Sequence, residues 1–119
     1  MKKIILSLLI LAAAIFLFFS FKSSSSVGSL ENAKFILFYG TGCPHCEIVE
    51  EFIKKNNIHE KLDFPEVEVF FNKDNAAVFA QKAKECGLDE KNLGVPLFWA
   101  EGKCYSGDKD IISYLSDKQ

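Results

Sequence analysis

The sequence predicts one α/β domain, ordered βαβαββα, with a four-stranded mixed sheet and helices on both of its faces, behind an apolar amino-terminal segment. Three observations lead there. Short runs rich in β-branched and aromatic residues alternate with stretches of helical periodicity. A Cys-Pro-His-Cys stretch follows the first such run directly, and a Val-Pro pair opens two closely spaced short runs near the carboxyl end.

The 119 residues leave room for one core and no second. "MKK" gives a positive start, and Ile4 to Phe21 is then apolar except for Ser7 and Ser20. As a helix this run is about 27 Å long, at the short end of what spans a hydrocarbon core. Two lysines before it and only Lys22 just after it favour an amino terminus on the cytoplasmic side. The segment over 1–21 is expected to be a signal-anchor, so that lipid contacts residues 4–21. A cleaved signal peptide is the alternative, with cutting near Ser24-x-Ser26 or Val27-x-Ser29. Either way the remainder leaves the cytoplasm, as a single-pass protein of the cytoplasmic membrane with an extracytoplasmic domain, or as a secreted one. "SSSSVGS" makes 22–29 a flexible tether by composition, and the folded domain is expected over 30–119.

That domain carries all 16 acids but only 11 of the 14 lysines, a net charge of −5, and the chain has no arginine. Phosphate contacts dominate nucleic-acid affinity, so this class of partner is excluded.

Lys34 to Tyr39 reads as a strand buried on both faces. Pro44 suits the first turn of a helix, whose apolar face is Ile48, Val49, Phe52 and Ile53. Residues 56–66 connect to a second strand, Val67 to Phe71. Asn72 or Asp74 caps the next helix, with Ala76, Phe79, Ala80 and Ala83 facing inward and Gly87 closing it. Strand, helix and strand at this spacing imply a right-handed crossover and two parallel strands. "LFWA" and "KCYSG" form a hairpin about Glu101-Gly102, and Gly107 or Asp108 caps a last helix carrying Ile111, Ile112 and Leu115.

Cys43 thus falls where a strand ends and a helix begins. Free backbone N–H groups there favour a thiolate over a thiol. His45, when protonated, adds to the effect, and Glu47 opposes it. Cys46 lies three residues on, within reach of a small ring with Cys43, which defines a nucleophile and a resolving thiol. Stabilising the thiolate makes the disulfide more oxidising. Two other readings stand beside this one: half of a zinc site completed by Cys86 and Cys104, and a purely structural disulfide. Val95-Pro96 opens a strand, where a cis proline would leave a backbone edge beside the sulfurs.

Together these residues resemble the thioredoxin superfamily over 34–117. "CPHC" is similar to the active site of DsbA-type periplasmic oxidases. "TGCP", the length and "GVPLFWAEGKCYSGDKDI" are similar to glutaredoxins, so that the whole resembles a glutaredoxin-like minimal domain with a DsbA-type active site. The resemblance implies that Cys43 attacks, Cys46 resolves and Pro96 is the cis proline, with Pro44 and His45 between the cysteines. Val95, Tyr39 and Thr41 are the expected substrate contacts, and Phe98 a further residue at the edge of the site. Three departures accompany it. Glutaredoxins usually have a lysine where Gly40 stands. Their second glycine and following acid survive only in part, as Gly107, Asp108 and Lys109. The buried acid that thioredoxin and DsbA usually place six residues before the first cysteine is Leu37 here.

Cys86 and Cys104 are either a structural disulfide, two buried apolar thiols, or a second redox pair relaying electrons. His59 is expected on solvated surface and Trp99 in the core. The functional expectation is a membrane-tethered, extracytoplasmic thiol–disulfide oxidoreductase acting on exported protein thiols or disulfides. A membrane redox partner would reset it, and no metal or organic cofactor is called for. Alternatives are a glutathione-dependent glutaredoxin, a copper-binding or chaperone module using Cys43, Cys46 and His45, and a redox-inert peptide-binding module on the Pro96 edge.

Overall fold

In a computed structural model, residues 1–19 and 27–119 are described. Helix α1 (Lys2–Phe19) stands at the amino end. The expected membrane run extends to Phe21, so its last two residues lie outside the described ones, as does most of the tether. Among the described residues no helix is long and apolar enough to cross a membrane. The last three residues of the expected tether are instead helical, in the short α2 (Val27–Glu31). The reason is an anchoring contact at its end. Leu30 is buried in the core, and the Lys82 ammonium donates to the Glu31 carbonyl at 2.9 Å.

The remaining elements follow the expected order: β1 (Phe35–Tyr39), α3 (Pro44–Lys55), β2 (Glu66–Glu68), α4 (Lys73–Glu85), β3 (Leu97–Ala100), β4 (Lys103–Ser106) and α5 (Asp108–Ser116). The strands lie in the order β2-β1-β3-β4. β2 runs parallel to β1, with Phe38 opposite Val67, while β3 is antiparallel to both β1 and β4. A mixed sheet results because only the connection through α3 is a crossover; the β3–β4 link is a hairpin whose turn places Glu101 and Gly102 at positive φ.

The period-2 alternation of the central strands divides the core into two layers. Ile36, Phe38, Leu97 and Trp99 point to one face and pack with Val78, Phe79 and Ala83 of α4. Leu37, Phe98 and Ala100 point to the other and pack with Val49, Ile53, Ile111 and Leu115 of α3 and α5. β3 is therefore buried along its whole length, which explains a strand with no polar residue.

Three element-level expectations change. β2 ends at Glu68 rather than Phe71. The Glu68 carboxylate accepts from the backbone N–H groups of Phe70 and Phe71 at 2.8 and 3.0 Å, and so bends the chain out of the ladder. On α3, Ile48 is exposed and the buried positions are Cys46, Val49 and Ile53. On α4, Val78 and Lys82 join Phe79 and Ala83 inside. Lys82 is tolerated there because its ammonium has the Glu31 carbonyl, lies 4.7 Å from the Trp99 ring and reaches the Glu85 carboxylate at 3.5 Å.

Candidate active site

The chain leaves β1 through Gly40-Thr41-Gly42 and turns sharply before α3. Gly42 takes a φ of 78°, a left-handed conformation that glycine adopts without steric cost. The Cys43 N–H donates to the Gly40 carbonyl at 3.1 Å and closes the turn. Cys43 is the N-cap of α3, with Pro44 following in the first helical turn. The Cys46 backbone N–H donates to the Cys43 sulfur at 3.3 Å. The same N–H also lies 3.1 Å from the Cys43 carbonyl, so this helix-terminal donor is shared between the carbonyl and the sulfur. Neither cysteine is bonded; Cys43 is partly exposed, whereas Cys46 is buried at 2% exposure.

The Val95-Pro96 peptide is cis, and the Val95 carbonyl lies 3.8 Å from the Cys43 sulfur. Gly107 donates to the Pro96 carbonyl at 3.0 Å, fixing the start of α5 against the proline. That places Asp108 opposite His45, with Nδ1 and Oδ1 3.3 Å apart. His45 is therefore shared between the Cys43 region and a carboxylate at the next helix N-terminus. The sequence offered Asp108 as a possible cap and as part of the partly surviving glutaredoxin tail; Gly107 holds the cap position.

Beside Cys46 opens a cleft of about 400 Å³, lined among others by Tyr39, Thr41, Glu47, Glu50 and Glu66. Its electrostatics are acidic. Burial, then the hydrogen bond with Cys43, and also the charges of Cys43 and Glu50, push the Cys46 thiol up to about 12, against a lowering backbone hydrogen bond from Gly40. Burial, then Glu66 and Glu47, raise the Glu50 carboxyl above its ordinary range. Burial and the nearby Glu50, Glu68 and Glu66 raise the Tyr39 phenol. Glu68 shifts the other way: desolvation would raise it, but backbone hydrogen bonds from Phe71, Phe70, Thr41 and Asn72 outweigh this and hold it low. The Thr41 N–H is 3.3 Å from that carboxylate, so Glu68 ties the turn before Cys43 to the end of β2.

Of the expected site residues, Cys43, Pro44, His45, Cys46, Val95 and Pro96 come together, with Tyr39 and Thr41 on the adjoining cleft. Phe98 does not belong there. It is fully buried and packs edge-on against Phe64 at 5.0 Å. Its place one residue beyond Leu97 turns it to the α3–α5 face. Glu50, Glu66 and Glu68 were not singled out from the sequence; the one available signal was the four-residue step from Cys46 to Glu50, which puts both on one helix face. Cys86 and Cys104 are joined by a disulfide, with α-carbons 5.9 Å apart, so they are not free to complete a zinc site with Cys43 and Cys46. Among the described residues no group of three or more His, Cys, Asp or Glu is placed to hold a metal ion. His59 is partly exposed yet partnered, at 2.8 Å from Glu66 and against the Phe64 ring.

No protein-family model matches the sequence, and no curated protein is close enough in sequence to count as a match. Solved structures do match the fold. Oxidized glutaredoxin 2 from Chlamydomonas reinhardtii aligns at a TM-score of 0.51 and 21% identity, over 76% of this chain and 78% of its own. Wheat glutaredoxin gives 0.51 and 18%, over 77% and 86%, and a buckwheat glutaredoxin–glutathione complex 0.52 and 16%, over 76% of each. The chain therefore has the thioredoxin-like fold in its glutaredoxin form, a four-stranded mixed sheet between helices, with a Cys-x-x-Cys pair at the first strand-to-helix junction.

Proposed function

We propose that the chain is a thiol–disulfide oxidoreductase working through Cys43 and Cys46 on protein thiols. The observation that carries this is the pairing of an accessible sulfur at a helix N-cap, receiving the Cys46 N–H, with a second, buried thiol one turn along. In the reductive direction the Cys43 thiolate attacks one sulfur of a substrate disulfide and expels the other as thiolate. Cys46 then attacks the Cys43 sulfur, the mixed disulfide breaks, and the substrate leaves reduced while Cys43–Cys46 becomes a disulfide. The oxidative direction is the same path reversed, two electrons moving the other way. Pro44 starts the helix, His45 adds positive charge when protonated, and the Val95–Pro96 edge offers backbone to an extended peptide.

Protein substrates are favoured over glutathione by what surrounds Gly40. Glutathione is an anion, and the cleft beside Cys46 presents Glu47, Glu50 and Glu66. The lysine that glutaredoxins usually carry is missing, and the Phe70 ring fills the space that a side chain at 40 would need. The copper reading loses support because His45 is engaged by Asp108.

The extracytoplasmic, membrane-tethered setting is part of the proposal. From Ile4 to Ile15 every large apolar side chain of α1 is 55 to 65% exposed, a surface that needs lipid around it. The apolar run continues to Phe21, and a disulfide between Cys86 and Cys104 suits an oxidising compartment. A membrane redox partner would then reset the pair.

The test is the reduction potential of Cys43–Cys46, equilibrated in defined redox buffers and counted by mass after alkylation. A value of about −120 to −180 mV assigns disulfide donation, and one of about −270 mV disulfide removal. Absence of a two-electron transition at this pair would overturn the assignment.

A further inference from the structure

Resolution requires Cys46 to act as a thiolate, yet the residue is buried at 2% exposure. Burial and the nearby Glu50 push the Cys46 thiol up, so little of it is thiolate at neutral pH. A base must therefore take the proton as the attack proceeds. The position six residues before Cys43 holds no acid: Leu37 is packed in the core at 1% exposure.

We infer that Glu50 is the proton acceptor for Cys46, an assignment that rests on the oxidoreductase reading above. Glu50 stands one helical turn after Cys46 on α3, half-buried, and the two residues line the same cleft. The other groups facing this cleft are less suited. Glu47, also on α3, lines the cleft but follows Cys46 directly in sequence and is solvent-exposed, whereas Glu50 is half-buried. Glu66 on β2 is engaged by the His59 ring at 2.8 Å. Glu68 is committed to the N–H groups of Thr41, Phe70 and Phe71 and is held ionised by them. Tyr39 on β1 is a neutral phenol with its proton held more tightly than usual. Glu50 combines a place one turn from Cys46 on the shared cleft with a raised proton affinity, which brings a carboxylate closer to the strength of a useful base.

The step balances. The proton on Cys46 passes to a Glu50 carboxylate oxygen, directly or across a water in the cleft, while the sulfur lone pair forms the bond to Cys43. The electrons of the Cys43–substrate bond leave on the substrate sulfur. Glu50 afterwards returns its proton to solvent through the open mouth of the cleft. In the oxidative direction it donates that proton to the departing Cys46.

The experiment uses the full-length, detergent-solubilised chain, reduced at Cys43 and Cys46, mixed with excess 5,5′-dithiobis(2-nitrobenzoate). The first equivalent of thionitrobenzoate reports attack by Cys43, and the second, independent of reagent concentration, reports resolution by Cys46. Glu50→Gln is expected to lower the ratio of second-phase to first-phase rate at least tenfold, and Glu50→Asp to restore part of it. The wild-type second phase should rise with pH as Glu50 ionises and then level, whereas that of Glu50→Gln should climb steadily with Cys46 ionisation alone. An unchanged ratio and pH profile, or an equal slowing of both phases, would overturn the assignment. A wild-type chain that releases only the first equivalent would instead remove the oxidoreductase reading, and the role of Glu50 with it.

Discussion

Reducing the Cys86–Cys104 disulfide should cost the domain about 3 kcal/mol. The bridge joins residues 18 apart, and closing a loop of that length removes from the unfolded chain roughly 11 cal/mol/K, or about 3 kcal/mol at 25 °C. The bridge ties the C-cap of α4 to β4, where Cys104 stands opposite Trp99. Trp99 is the sole tryptophan and only 5% exposed, so its fluorescence reports unfolding of the layer that the bridge holds. The comparison uses one chain, carrying Cys43→Ser and Cys46→Ala so that this bridge alone changes, in its oxidised and dithiothreitol-reduced forms. Urea unfolding should show the full loss, and the melting midpoint should fall by roughly 12 to 24 °C for a domain of this size. A loss under about 1 kcal/mol would refute the reasoning, since the bridge would then not be restricting the unfolded chain.

Further outcomes follow from other parts of the molecule. Phe98→Ala, which empties a fully buried position between the Phe64 and Tyr114 rings, should destabilise by about 3–5 kcal/mol in urea, more than a residue at the rim of a cleft would. His45→Ala should make the pair more reducing, by about 30 mV for each ~1.4 kcal/mol of lost thiolate stabilisation, measured in redox buffers; an unchanged potential would mean that Asp108 already cancels the charge of His45. Asn72→Ala removes the acceptor of the Asp74 and Asn75 N–H groups at 3.1 Å and should cost about 1 kcal/mol by the same unfolding assay. Glu68 has its carboxyl held low in the folded state, so its stabilising contribution is present above the ordinary glutamate value and lost as pH falls through the lowered one. Relative to the intrinsic exchange rate at each pH, amide protection at Thr41, Phe70 and Phe71 should fall over that acid window, and Glu68→Gln should abolish that fall.

Much of this architecture is legible in local chemistry. The apolar run from Phe35 to Tyr39, Pro44 at the first turn, Asn72 before a helical face and Gly102 in a tight hairpin each act through backbone preferences or a period of two or 3.6 residues. Those causes reach only a few residues along the chain, so they can be read without knowing what lies across the sheet. The same holds for the Cys-x-x-Cys spacing at a strand-to-helix junction. β2 was misread because Phe70 and Phe71 have strand-like side chains, while a carboxylate just before them captures their N–H groups. Ile48 was misread because an apolar stripe two residues wide satisfies the helical period in more than one rotation.

The sequence by itself determined the order of elements, the cysteine pair, the proline beside it and the apolar amino-terminal segment. These are set by covalent order, turn chemistry and hydrophobic periodicity. Tertiary structure decided which groups surround the sulfurs. His45 meets Asp108, Glu68 gathers amides from two loops, Glu50 and Glu66 converge from a helix and a strand, and Cys86 finds Cys104. Each of these depends on through-space electrostatics between residues brought together by a parallel crossover or a hairpin, and desolvation and Coulomb energy depend on distance in space rather than in sequence.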